Sequence, residues 1–115
     1  MHELAVTESV LKIAEKHALL ANAKKVTDIF LVIGNLSSIV DESVSFYWDM
    51  ISKGTICENS KLHFKRISAS MLCLACNQTY DLPGELIPCP NCGSFQVKVQ
   101  TGDDFYLESI EIERT

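Results

Sequence analysis

Cys73-Leu74-Ala75-Cys76 is answered, after twelve intervening residues, by Cys89-Pro90-Asn91-Cys92-Gly93, in a chain of 115 residues. Each CxxC turn places two sulfurs on one side of a tight knuckle, and two such knuckles across a hairpin complete a tetrahedron of thiolates. Pro90 fixes the backbone inside the second knuckle, and Gly93 supplies an unhindered position from which amides can point back at the sulfurs. The spacing therefore predicts a zinc ribbon with Cys73, Cys76, Cys89 and Cys92 as ligands. Thiolates also suit iron, and a rubredoxin-like electron carrier has paired knuckles. The first pair, CLACN, lacks the glycine such a carrier would carry. A disulfide pair is disfavoured by the fifth cysteine, Cys57, and by the absence of a secretory signal, so a reducing, cytoplasmic setting is expected.

Working outward from the cysteines, the flanking sequence reads as an α/β (α+β) unit. Val6, Val10, Ile13, His17 and Leu20 recur at helical spacing and predict a first amphipathic helix that fades near Asn22. The β-branched and aromatic run Val26–Ile33, closed by Gly34, predicts a central strand. Asp41 is placed to cap a second helix whose Val44, Tyr47, Trp48 and Ile51 form one stripe, with Gly54 as the stop. Leu62 and Phe64 alternate with Lys61, His63 and Lys65, and Ile110 and Ile112 alternate with Glu111 and Glu113, which predicts two further strands. The expected architecture is a small three-stranded mixed sheet with two helices, formed by residues 1–68 and 101–115, with a zinc-ribbon module inserted at 69–100.

Ten basic against fifteen acidic residues give a formal net charge of -5, and a zinc centre bound by four thiolates adds about -2 more. Such a surface repels phosphate backbones, which weighs against nucleic acid as a partner despite the zinc ribbon. No apolar run approaches the roughly 20 residues that cross a bilayer, so no membrane span is expected. No nucleophile, base and orienting acid form a local signature, and no phosphate-binding glycine loop is present, so an enzyme is not expected. His17 reads as a core or edge histidine, His63 as a solvent-facing strand residue and Cys57 as a plain thiol. The classes left standing are a metal-handling protein, a zinc-ribbon interaction module for protein or nucleic acid, and an iron electron carrier.

The second informative stretch is Met1-His2-Glu3. An imidazole at position 2 can act with the α-amine and the intervening amide nitrogen, a nitrogen-rich set that favours Ni(II) or Cu(II), and Glu3 can add a carboxylate or orient the imidazole. With MHE, an amphipathic helix, a strand ending in Ile33-Gly34, the Leu36-Ser37-Ser38 loop, an aromatic-bearing helix and CxxC followed by CPxCG, the whole chain resembles the HypA/HybF nickel metallochaperones of [NiFe]-hydrogenase maturation. The resemblance implies His2 as the main nickel ligand, Glu3 as a ligand or neighbour, and the four cysteines as structural zinc ligands. Asp41 or Glu42 stands where the family's acidic ligand would fall. It also implies Ni(II) as a transient cargo, a nickel-handling GTPase (HypB) and the hydrogenase large-subunit precursor as partners, urease maturation proteins as a further possibility, and a monomer or weak homodimer.

Overall fold

The computed structural model describes residues 3–114, in the order α1 (Glu3–Leu20), β1 (Lys25–Gly34), α2 (Asp41–Ile51), β2 (Lys61–Ile67), β3 (Ser70–Cys73), β4 (Thr79–Asp81), β5 (Val97–Thr101) and β6 (Phe105–Glu113). The strands form two three-stranded sheets, β2-β1-β6 and β4-β3-β5. The chain divides into two compact units, one of residues 3–32, 38–65 and 105–114, the other of Ile33–Ser37 and Arg66–Asp104. The expected α/β class, with two helices, a three-stranded sheet and a cysteine module, is the architecture found. The module's own antiparallel sheet was not foreseen, because its strands are only three to five residues long and the outer two, β4 and β5, are mostly exposed.

β1 is the middle strand of the first sheet, and its last four residues, Leu31–Gly34, are all buried. A strand covered on both faces loses the alternation of a half-exposed one and reads as a continuous apolar run. α1 packs against α2 and β6, through a face that keeps Val10 of the expected stripe but is turned toward the alanines flanking it. Thr7, Val10, Ala14 and Ala18 are buried, whereas Ile13 is 45% and Leu20 72% exposed. The alanines carry no bulk beyond Cβ, so that face permits the closest approach, and the larger aliphatics fall on the flank. The helix ends in a Schellman motif: Ala23 N–H donates to the Ala18 carbonyl (2.9 Å) and Asn22 N–H to that of Leu19 (3.1 Å), with Asn22 left-handed at φ 56°.

The second helix departs from expectation at both ends. Its N-cap is Val40 in extended conformation, with no side-chain cap. Asp41 is therefore the first helical residue, and it stands with Glu42 in the first turn, where the helix dipole favours acids. At the other end the helix stops at Ile51 with Ser52 as C-cap, and Gly54, left-handed at φ 77°, lies beyond it. Within the stripe Val44 and Trp48 are fully buried while Tyr47 and Ile51 are only partly covered. The Trp48 indole donates to Ser60 Oγ at 2.9 Å and Ser60 Oγ donates to the Cys57 carbonyl at 2.6 Å, so the polar edge of the largest core residue is satisfied.

In the second unit β3, which ends in Cys73, pairs antiparallel with β4 and with β5. Gly34 is needed for close approach there: a Cβ on it would lie 2.1 Å from the carbonyl carbon of Gly102.

Candidate metal centre

The two knuckles are built to one pattern. Asn77 N–H donates to the Cys73 carbonyl (2.9 Å) and Gly93 N–H to the Cys89 carbonyl (2.7 Å). Cys73 N–H in turn donates to the Gln78 carbonyl (2.8 Å) and Cys89 N–H to that of Ser94 (3.0 Å). The residue after each second cysteine must be left-handed for this closure, and Asn77 (φ 64°) takes the conformation that Gly93 (φ 76°) takes. Asparagine is among the few residues that tolerate it. The missing glycine of CLACN is thus filled in structural terms, and its absence no longer separates zinc from iron.

The four sulfurs lie within 4.8 Å of one another. Cys73 and Cys92 Sγ are 3.6 Å apart, Cys76 and Cys89 Sγ 3.7 Å. A tetrahedron with Zn–S bonds of about 2.3 Å has edges of about 3.8 Å, so both contacts fit a single zinc ion. Donors face the sulfurs: the Asn91 amide donates to Cys76 Sγ (3.5 Å), and backbone hydrogen bonds reach Cys76 at Gln78 and Cys92 at Ser94. Asn91, inside CPNC, and Asn77 are the two supporting residues whose roles the sequence reading missed; polar residues with small amide side chains at those knuckle positions were the available signal.

Without a cation, four thiols this close cannot all ionise. Cys76 is lowered to about 6, first by Asn91 and then by the Gln78 backbone. Cys92 is pushed up to about 12: the Ser94 backbone hydrogen bond pulls it down, but Cys73, burial and the other two cysteines outweigh that pull. A dication reverses the balance and deprotonates the set, so binding releases protons. Tyr80 closes the loop over this region, donating to the Ile87 carbonyl at 2.8 Å.

The remaining candidates are placed separately. His2 lies outside the described residues. Glu3 opens α1, half-buried, and its Oε2 accepts from the Val40 amide at 3.4 Å, immediately before Asp41 and Glu42. His17 is exposed beside β6. His63 is exposed as expected, yet it is held: Nε2 stands 2.7 Å from Asp28 Oδ1 and the ring stacks on Phe30 at 4.6 Å. Cys57 is fully buried, and burial, with the Glu15 charge second, pushes its thiol up to about 11, which makes it a poor nucleophile. Among the described residues no helix is long and apolar enough to cross a membrane.

A two-helix α/β unit whose chain is interrupted by a four-thiolate ribbon defines a small metal-binding protein. The family model described as "Hydrogenase/urease nickel incorporation, metallochaperone, hypA" matches residues 1–112, and the chain belongs to that family. It is 37% identical over 113 residues to a hydrogenase maturation factor HypA of Geobacter sp. (strain M21), covering 98% of this chain and 100% of the relative. It is 38% identical over 114 residues to the HypA of Caldanaerobacter subterraneus subsp. tengcongensis, with coverage of 98% and 100%. The solution structure of the Ni metallochaperone HypA from Helicobacter pylori shares the fold, with a TM-score of 0.72, 23% identity and 100% coverage of both chains. The family is one of nickel metallochaperones for hydrogenase maturation rather than of catalysts, and the Cys73, Cys76, Cys89 and Cys92 set fits its zinc chemistry.

Proposed function

We propose that this chain binds Ni(II) through Met1-His2-Glu3 and delivers it for [NiFe]-hydrogenase maturation, while Cys73, Cys76, Cys89 and Cys92 hold a structural zinc ion. The observation that carries the reading is the match of a nickel-incorporation family model to residues 1–112, a span that takes in His2. The Glu3 contact with Val40 supports it, because the residue next to His2 is anchored at the start of α2, within the same unit as the carboxylates of Asp41 and Glu42. In this reading residues 1–68 and 101–115 form the nickel-binding domain and 69–100 the zinc-ribbon domain. The receiving partners are a nickel-handling GTPase of the HypB type and the hydrogenase large-subunit precursor, in the cytoplasm.

A delivery site must hold its cargo specifically yet remain open to ligand exchange. His2 imidazole, the Met1 amine and the intervening amide nitrogen meet that need, since they leave one side of the ion accessible and must lose protons to bind, so affinity falls with acid. A dissociation constant on the order of micromolar, about -8 kcal/mol, is weak enough for transfer. Calorimetric titration of the chain with a native N-terminus should find one Ni(II) site. His2→Ala or an N-terminal extension should abolish it, and one zinc per chain should survive both changes. Nickel binding that persists unchanged in His2→Ala overturns the assignment.

A further inference from the structure

β6 closes the order β2-β1-β6, so among the described residues one side of this nine-residue strand pairs with β1 and the other meets no strand. Along that strand runs a groove of about 270 Å³, lined by Ile13 and His17 of α1 and by the consecutive residues Leu107, Glu108, Ser109 and Ile110. Ile13 is 45% exposed there although it belongs to a helix that packs on β6. A strand backbone beside a helix, with an aliphatic side chain between them, is the geometry in which an extended peptide adds to a sheet: its main chain meets the edge and alternate side chains enter the groove.

Charge selects the occupant. β6 carries Glu108, Glu111 and Glu113, the last ion-paired with Lys25 at 3.6 Å, and no basic residue, whereas β2, the opposite edge, carries Lys61, Lys65 and Arg66 and no acidic one. Pairing two copies through β6 would bring two acidic strands side by side. Pairing β6 of one copy with β2 of the next is charge-matched but head-to-tail, and grows chains instead of closing. We propose that the edge of β6 docks an extended, basic segment of a partner protein, which adds as a fourth strand and places one aliphatic side chain against Ile13, Leu107 and Ile110. This surface is independent of the nickel reading.

The test uses the full-length zinc-bound chain and a fluorescent peptide of alternating lysine and valine, read by anisotropy and by amide hydrogen exchange. Binding should protect residues 105–113. It should weaken roughly tenfold in Glu108→Lys/Glu111→Lys, a variant that should instead accept a second peptide of alternating glutamate and valine. Ile13→Arg, at an exposed site, should remove both modes, and N-methylating alternate peptide amides should remove binding to the unaltered chain. Equal binding of the N-methylated peptide, protection elsewhere than β6, no binding at all, or self-association of the chain that the peptide competes away would each overturn the proposal.

Discussion

In residues 3–32, 38–65 and 105–114 the fully buried side chains include Trp48, Ile29, Leu31, Val26 and Val44, while in Ile33–Ser37 and Arg66–Asp104 they are Ile33, Cys73 and Cys89. Both units leave large hydrophobes exposed, Leu19, Leu20 and Phe46 in the first and Leu74, Leu86 and Phe95 in the second, so the buried set is what separates them. One unit closes around an apolar core; the other has too few buried hydrophobes to close alone and gathers four thiols instead. The second unit stands close to the size of about 40 residues below which a core rarely suffices without a metal or a disulfide. The difference teaches that the two units should fail in different ways.

The largest effect expected is loss of the metal. Cys73→Ser, or a strong chelator, should withdraw folding free energy on the order of 10 kcal/mol from the ribbon. Amide exchange across residues 70–101 should then become fast while β1 and α2 stay protected; joint collapse of both units would break the comparison. Next comes Trp48→Ala, expected to cost about 3–5 kcal/mol in urea denaturation, with zinc content unchanged as long as the chain is folded. A smaller effect tests the matched knuckles: Asn77→Ala should cost about 1–2 kcal/mol because alanine resists the left-handed conformation, whereas Asn77→Gly should be tolerated. Thermal denaturation of the zinc-bound form separates the two.

The smallest effect is the pH response of the surface pair on the apolar unit. Asp28 is lowered from 3.8, first by its hydrogen bond to His63 and then by that to Thr27. A depressed folded value means that its contribution to stability is present above about pH 4 and is lost as pH falls through the lowered value. Asp28→Asn should flatten that part of the acid limb in a pH series of denaturation midpoints. An unaltered acid limb would show that the His63 contact is without consequence for stability.

Spacing alone made the cysteine quartet legible, because CxxC geometry is local and a tetrahedral site needs little else. β1 was legible for a related reason: a short run rich in β-branched and aromatic residues and closed by Gly34 favours a buried strand over a helix. The helices were legible as helices but not in their facing. Ile13 and Leu20 look like core residues on a helical wheel, yet Ala14 and Ala18 took the interface because small residues allow the backbones closer. Asp41 looked like a cap, but Val40 holds that position, and the amide it presents is met by Glu3, thirty-seven residues away in sequence.

The sequence by itself therefore determined the elements, the thiolate site and the resemblance to nickel chaperones, each read from short local motifs and their order along the chain. Only the tertiary structure decided which helix face is buried, that Asn77 can replace a glycine, that Glu3 docks at the start of α2, and that β6 is an acidic edge beside a groove. Those depend on which surfaces meet, and packing is settled by the shapes of residues distant in sequence.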